Sequence, residues 1–407
     1  MQASTDRIQV SHAGSLPRTD ELVAANAARE FEEDGFTLKR SPEFDALLQE
    51  AVTGLVQHQL DVGVTAVGDG EFGKASSNPT DYGAWWAYSF QRVGGLSLTE
   101  VNAFNEPPHR SSPGNIRLTS FNDRRDRQEF ADVYADPTAM HTGRVATQFP
   151  SVTGELVYKG QDLVASDIAN LKTALAATGA ANGFITSISP GSAARIVNDY
   201  YATEEEHVWA WAKALREEYK AITDAGLILQ IDDPSMAENW DAINPEPTVA
   251  EYVAFTRIRL EALNWALEGL PTEQIRFHLC WGSWHGPHTT DIEFKNIVDV
   301  MLDVNAQAYS FEAANSRHEH EWTIWEDVKL PEGKLIVPGI VGHATNVVEH
   351  PELVAQRIGN FANLVGREAV VASTDCGLGG RVHQHIAWAK LESLAKGAEI
   401  ASKRLWK

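Results

Sequence analysis

The chain is poor in cysteine, with only Cys280 and Cys376 in 407 residues. That excludes a disulfide framework, and the two thiols read better as free than as a single bridge. Long hydrophobic runs are missing too: no stretch of 18 apolar residues occurs, so no helical membrane span is expected. The start, Met1-Gln2-Ala3-Ser4-Thr5-Asp6-Arg7, lacks a basic region followed by an apolar stretch. No secretory leader is therefore expected, and a cytoplasmic location with reduced thiols is. Basic residues are scarce, 34 Lys plus Arg against 56 Asp plus Glu, for a formal net charge of −22. This balance argues against DNA, RNA or an anionic membrane as partner. The one dense basic cluster, Arg124, Arg125 and Arg127, reads as a solvated loop. No internal repeat, low-complexity tract or Pro/Ser linker breaks the chain, so one domain over residues 1–407 is expected. A homo-oligomer is among the assemblies this composition allows.

The chain does have short β-branched runs alternating with longer segments of 3.6-residue periodicity. Strands are predicted at 7–11, 64–68, 183–188, 227–231, 274–279, 307–311, 334–340 and 369–373. Helices are predicted at 204–223, 249–267, 292–304, 351–364 and 382–396. Eight strands alternating with helices predict an α/β fold, a (β/α)8 TIM barrel. A doubly wound open sheet is the rival, weakened because no G-x-G-x-x-G follows the first strand. The second and third strands are over a hundred residues apart, so an insertion of about 75–180 is expected. It contains Asp81-Tyr82-Gly83-Ala84-Trp85-Trp86, a turn-rich run at 105–114 and a hairpin strand near 155–158, and should fold over one barrel end.

The strand ends carry the chemistry. They deliver, in order, His12 and Ser15, then Asp69 and Glu71, Ser189 and Ser192, Asp232 and Asp233, His278 and Cys280, Glu312, His343 and Asn346, and finally Asp375 and Cys376. In a TIM barrel all of these open onto the C-terminal mouth, where active sites lie. His278 and Cys280 are two apart, so on one strand they share a face. A histidine, two thiols and a carboxylate brought together suit zinc and suggest chemistry on sulfur. Each residue also has an ordinary reading. His278 could be a hydrogen-bonded core histidine, the cysteines inert buried thiols, Glu312 a helix-start acid, and Asp232 with Asp233 a cap. Trp281 and Trp284 read as packing residues unless the mouth is open to them. The joint arrival of both cysteines, a histidine and an acid at one rim favours a site.

These residues carry a resemblance. His12-Ala13-Gly14-Ser15-Leu16-Pro17-Arg18, Gly68-Asp69-Gly70-Glu71, Gln230-Ile231-Asp232-Asp233-Pro234, His278-Leu279-Cys280, Ser310-Phe311-Glu312, Gly342-His343-Ala344-Thr345-Asn346 and Asp375-Cys376-Gly377-Leu378 follow one another as in the cobalamin-independent methionine synthase family. The chain resembles the family's C-terminal catalytic barrel and its shorter, single-barrel members. The resemblance implies Zn2+ held by His278, Cys280, Glu312 and Cys376. It implies substrate-binding roles for Ser15, Glu71 and Asp232, with Glu71 on the amino group of a homocysteine acceptor and the Ser15 turn on its carboxylate; Trp281 and Asn346, beside the same strand ends, are further substrate-binding candidates. His343 falls where the family moves a proton, and Asp232 where it contacts the amino acid or a pterin; both are catalytic candidates. The implied partners are a small-molecule thiol acceptor and a methyl donor.

The sequence departs from the family in two places. The usual Asp-Glu-Pro reads Asp232-Asp233-Pro234, and the aromatic, His-rich segment Trp281-Gly282-Ser283-Trp284-His285-Gly286-Pro287-His288 follows Cys280. Both departures bear on the methyl donor, methyltetrahydrofolate or another. The expected activity is zinc-dependent methyl transfer to a thiol, homocysteine giving methionine. Rival readings are thiol addition to an epoxide by a coenzyme M-type acceptor, a metal-free decarboxylase of related fold, and a closed structural zinc site.

Overall fold

A computed structural model describes residues 1–76, 84–136, 138–139, 149–282 and 284–407. Of the tract 81–86 only Ala84, Trp85 and Trp86 are therefore described, and Ser283 also lies outside the described residues.

Among the described residues ten strands occur in chain order: β1 Gln9–Val10, β2 Val67–Gly68, β3 Val93–Ser97, β4 Ser151–Tyr158, β5 Gly183–Ile188, β6 Ile228–Asp232, β7 Ile275–Leu279, β8 Ala308–Phe311, β9 Leu335–Val341 and β10 Val371–Thr374. Eight of them form one parallel sheet in the order β1-β10-β9-β8-β7-β6-β5-β2. The two ends meet where the Val10 carbonyl accepts from the Thr65 and Ala66 N–H groups, both at 2.9 Å. The sheet thereby closes, and the architecture is the α/β TIM barrel that eight strand-helix alternations predict. All seven residues of β9 and all six of β5 are buried, as in strands covered on both faces.

Helices surround this sheet. Glu204–Asp224 begins at Thr203, whose side chain accepts from Glu206 N, and its stripe of Val208, Trp211, Leu215 and Tyr219 is buried. Val249–Leu267 opens with a full capping box of Thr248 and Glu251. The periodic segment 292–304 is not one helix. It is a 3-10 turn, Phe294–Asn296, followed by Val298–Leu302. Phe294 N donates to Glu321 Oε1 at 2.6 Å, in the 3-10 helix Glu319–Glu326.

Between β2 and β5, the strands β3 and β4 form an antiparallel hairpin. It is anchored on Glu218, which receives Arg92 Nη1 at 3.0 Å and Tyr158 Oη at 2.7 Å. The 111–125 stretch bonds to backbone carbonyls of Asp241, Ala242 and Asn244, in the loop after β6. The insertion thus lies across loops at the C-terminal ends of β5 and β6. The Arg124 cluster corrects the expectation of a solvated loop: Arg124 is buried and paired with Glu238 at 2.5 Å and Asp241 at 2.7 Å, with Trp284 under its guanidinium. The carboxylates that hold it come from a loop over a hundred residues away, which local composition does not show.

Candidate active site

The register of the sheet sets the first layer. Asp232 on β6, His278 on β7 and Ser310 on β8 are neighbours across one rung. Cys280 leaves β7 two residues above His278, and Cys376 follows the end of β10. Ligand atoms of His278, Cys280 and Cys376 all lie within 4.8 Å of one another. The sulfurs differ in protonation. The hydrogen bond from the Cys280 thiol, followed by His278, holds Cys376 well below the usual thiol range against the opposing effect of burial. The same bond and burial push Cys280 well up. One shared hydrogen bond thus drives the two thiols in opposite directions. Burial alone would lower His278, but the neighbouring Cys376 thiolate raises it.

His278 Nδ1 pairs with Ser310 Oγ at 3.1 Å. Its Nε2 is buried with no hydrogen bond of acceptable geometry. In the neutral ring, with Ser310 accepting from Nδ1–H, Nε2 carries the lone pair, the arrangement that outer groups impose on metal-binding histidines.

Glu312, directly after β8, adds a carboxylate. Its Oε1 accepts from Trp281 N at 2.9 Å and its Oε2 from Asn315 Nδ2 at 2.6 Å. Burial pushes its pKa up, and the Cys376 thiolate adds to the rise. Ligand atoms of Glu312, His343 and Asp375 form a second cluster within 4.8 Å, all three buried. Burial pushes the His343 imidazole down to about 3, so it stands neutral, and its Nδ1 has no partner. Asp375 Oδ1 accepts from Ala313 N at 2.7 Å and Ala314 N at 2.8 Å, tying the β10 end to the Glu312 loop.

A cleft opens beside the thiols, lined by Ser15, Arg18, Glu71, Trp85, Asp232, His278, Cys280, Cys376 and Arg381 among others. The turn at Cys376 clasps the turn at Ser15: Leu378 N and Gly379 N donate to Ser15 O at 2.9 and 3.0 Å. Gly377 allows this approach, since a Cβ there would meet Ser15 Cβ at 2.8 Å. Glu71 has φ 61°, left-handed backbone in a non-glycine residue. Such strain persists where surrounding structure imposes it, commonly at functional sites. Burial pushes Asp232 up toward its protonated form. Its Oδ1 accepts from Gln230 Nε2 at 2.6 Å, and Gln230 Oε1 accepts from the buried Arg276 at 2.5 Å.

The structure therefore brings Ser15, Glu71, Asp232, His278, Cys280 and Cys376 to one cleft, with Glu312 and His343 beside it. Two expected binding residues stand elsewhere. Trp281 lies beneath the cleft: its ring is 1% exposed, bonded to Ile292 O at 2.8 Å and stacked on His318 at 3.8 Å. What it offers the site is its backbone N–H to Glu312. Asn346 is exposed and lines an outer chamber with Thr345, His383 and Arg381. Sequence reasoning missed Ser310 and Gln230 as supports and Lys74 behind Glu71. The motifs Ser310-Phe311-Glu312 and Gln230-Ile231-Asp232 contain the first two, and strand alternation was the available signal.

Residues 141–399 match the family described as cobalamin-independent synthase, catalytic domain. The chain belongs to that family. Among curated relatives, a methionine synthase of Thermococcus kodakarensis is 26% identical over 209 residues, 51% of this chain and 54% of the relative. A 2-hydroxypropyl-CoM lyase of Xanthobacter autotrophicus is 23% identical over 51% of this chain and 58% of the relative. The chain thus spans about half the length of the curated relatives it matches. Among solved structures, a B12-independent methionine synthase from Shewanella sp. W3-18-1, in complex with selenomethionine, superposes with a TM-score of 0.67 at 21% identity, covering 98% of this chain and 99% of that one. A similar protein from Listeria monocytogenes gives 0.63 at 17% identity, with 98% of each chain covered. These likenesses show the barrel. Among the described residues, no helix is long and apolar enough to cross a membrane.

Proposed function

We propose that this member of the family is a zinc-dependent S-methyltransferase that moves a methyl group to a thiol acceptor, homocysteine giving methionine, from methyltetrahydrofolate or another methyl donor. The observation that carries this reading is the convergence of His278, Cys280 and Cys376 within 4.8 Å, beside the cleft that contains Glu71 and Ser15. His278, Cys280, Cys376 and Glu312 would hold the ion. The donor set fits: a buried imidazole nitrogen without a geometric hydrogen bond, two sulfurs close to it and a carboxylate suit zinc better than a hard cation. Zinc, when bound, supplies a Lewis acid that keeps an acceptor thiol deprotonated at neutral pH, where a free thiol of pKa about 8.5 is mostly protonated.

The chain's own residues supply the rest. Glu71 accepts the acceptor's ammonium, and the Ser15 turn takes its carboxylate. Asp232 serves as the acid that protonates the leaving group. Gln230 fixes its Oδ1 as an acceptor, so the proton resides on Oδ2. A positioned acid of this kind contributes roughly 10²–10⁴-fold. Burial pushes the His343 imidazole down to about 3, so it holds a proton poorly, and Asp232 is the better placed of the two candidate acids. Glu312, held by Trp281 N and Asn315, would be the most weakly held of the four ligands, since its oxygen is harder than the sulfurs.

The relative named as a 2-hydroxypropyl-CoM lyase supports a second reading, alkyl transfer to a thiol without an amine. Glu71 would then be idle, and a Glu71→Gln variant would keep full activity. The deciding experiment is mass spectrometry of products from homocysteine with methyltetrahydrofolate, mono- and polyglutamated, and with simple methylated donors. Cys376→Ser should lose both zinc and turnover. A Cys376→Ser protein with stoichiometric zinc and full rate would end the proposal.

A further inference from the structure

Behind Glu71 stands a buried lysine that the scheme above does not use. Lys74 is 4% exposed and does not line the cleft. Its ammonium contacts Thr186 Oγ1 on β5 at 2.5 Å and Glu71 Oε1 at 3.3 Å, and lies over the Tyr88 ring at 4.3 Å. Thr186 Oγ1 also donates to Glu71 Oε1 at 2.8 Å. One carboxylate oxygen of Glu71 is thus held by two groups from behind. The other, Oε2, makes no hydrogen bond to the described residues, and Glu71 lines the cleft. The backbone admits little adjustment, because Gly70 and Glu71 both have φ 61° and a Cβ at Gly14 would meet Glu71 Oε1 at 2.8 Å.

We propose that Lys74, with Thr186, is the positioning device that sets acceptor specificity: it occupies Oε1 of Glu71 so that Oε2 alone is presented to the cleft, as the acceptor for one protonated amine on the thiol substrate. The inference rests on the thiol-acceptor reading above and narrows it to amino-bearing thiols. A thiol lacking the amine leaves a desolvated carboxylate oxygen unpaired. Sites built to hydrogen-bond a substrate group reject the analogue without it far more strongly than apolar pockets reject a missing methylene. Lys74 is not itself a cation for the substrate, because its three neighbours enclose the ammonium on the far side of Glu71.

The test compares L-methionine with its des-amino analogue, 4-(methylthio)butanoate, as ligands of the zinc-loaded protein by calorimetry. It also compares homocysteine with 4-mercaptobutyrate as acceptors. Wild type should prefer the amino compound by about 100-fold or more. Lys74→Met should bring that preference below about 10-fold by weakening the amino ligand, raising KM for homocysteine by a larger factor than it changes kcat, since Lys74 also acts on Asp232. Lys74→Arg should restore much of it. Thr186→Val, an isosteric change that removes only the hydroxyl, should lower it by about 10-fold and reads the same clamp should Lys74→Met fail to fold. An unchanged binding preference in Lys74→Met, or in Thr186→Val where only that variant folds, overturns the inference. So does a wild type that binds both ligands equally. Preference in binding without any methyl transfer leaves the inference standing and refutes the catalytic reading; methyl transfer with an unchanged preference does the reverse.

Discussion

Ser310→Ala is a sharp test of the metal reading, because Ser310 touches the proposed ligand set only through His278. Ser310 is wholly buried on β8, and its Oγ lies 3.1 Å from His278 Nδ1. The substitution removes one oxygen and leaves the imidazole in place. In the metal-free protein the loss is one buried hydrogen bond, about 1 kcal/mol. A chain of 407 residues unfolds with an entropy near 0.85 kcal/mol/K at about 2.1 cal/mol/K per residue, so Tm should fall by about 1 °C. In the zinc-bound protein the ring also loses the group that fixes its tautomer. Removing such an outer partner costs roughly 10–100-fold in metal affinity, or about 1.4–2.8 kcal/mol. At a fixed free zinc concentration above both dissociation constants, Tm should fall by a further 2–3 °C or so. Competition with a chromophoric chelator gives the affinity, and scans with and without zinc give the two shifts. Equal zinc affinity in Ser310→Ala and wild type, or equal Tm losses with and without zinc, would refute the assignment of His278 Nε2 as a ligand.

Three further outcomes follow from the same geometry. Glu218 is wholly buried and receives Tyr88, Ser187, Tyr158 and Arg92, so Glu218→Gln should cost roughly 3–5 kcal/mol by leaving Arg92 short of a charge partner, lowering Tm by about 4–6 °C in calorimetry; a change under 1 °C would show the cluster to be inert. Burial pushes His12 down to about 3 and His207 down to about 4, from 6.5 when unfolded. Both are therefore neutral in the fold, and the stability they carry is complete above pH 6.5 and lost as pH falls toward those values. Between pH 6.5 and 5 each should remove about 2 kcal/mol, visible as a falling urea midpoint that His207→Gln makes shallower; a flat midpoint would contradict this. Cys280→Ser should match Cys376→Ser in zinc content, since each sulfur sets the protonation of the other, and a stoichiometric zinc content in either variant would separate them.

The barrel was largely legible because its strands are short runs rich in β-branched and aromatic residues, and each stands out between polar segments. All eight predicted barrel strands coincide with observed ones, and Glu204–Asp224 and Val249–Leu267 match their predicted ranges closely. Strand alternation also placed His278 and Cys280 on one face. Contacts between distant loops were not legible. The strand β3, Val-Gly-Gly-Leu-Ser, has two glycines and little apolar pattern, and its partner β4 lies more than fifty residues on. Arg124 was misread for the same reason, as its carboxylates come from residues 238 and 241. Trp281 was a candidate for substrate only if the mouth opened onto it, yet its ring is buried and stacked on His318.

The boundary between what was legible and what was not also divides the site by function. The ends of β5 to β8 and β10 carry Thr186, Asp232, His278, Ser310 and Cys376, whose positions are fixed by sheet register and cannot shift without disturbing the barrel. The segment after β7 is fixed differently. Trp284 Nε1 donates to Tyr134 Oη, Arg124 stacks on the Trp284 ring, and His288 pairs with Asp291, which also receives His318. These bonds join the β7 loop to the insertion on one side and to the β8 loop on the other. Loops of this kind can change without loss of the barrel, and in TIM-barrel enzymes they distinguish one substrate from another. The aromatic, His-rich departure after Cys280 falls in this outer layer, whereas every proposed zinc ligand lies at or beside a strand end. On the proposed reading, acceptor activation would belong to the inner layer and donor choice to the outer layer, where the sequence departs from the family's pattern.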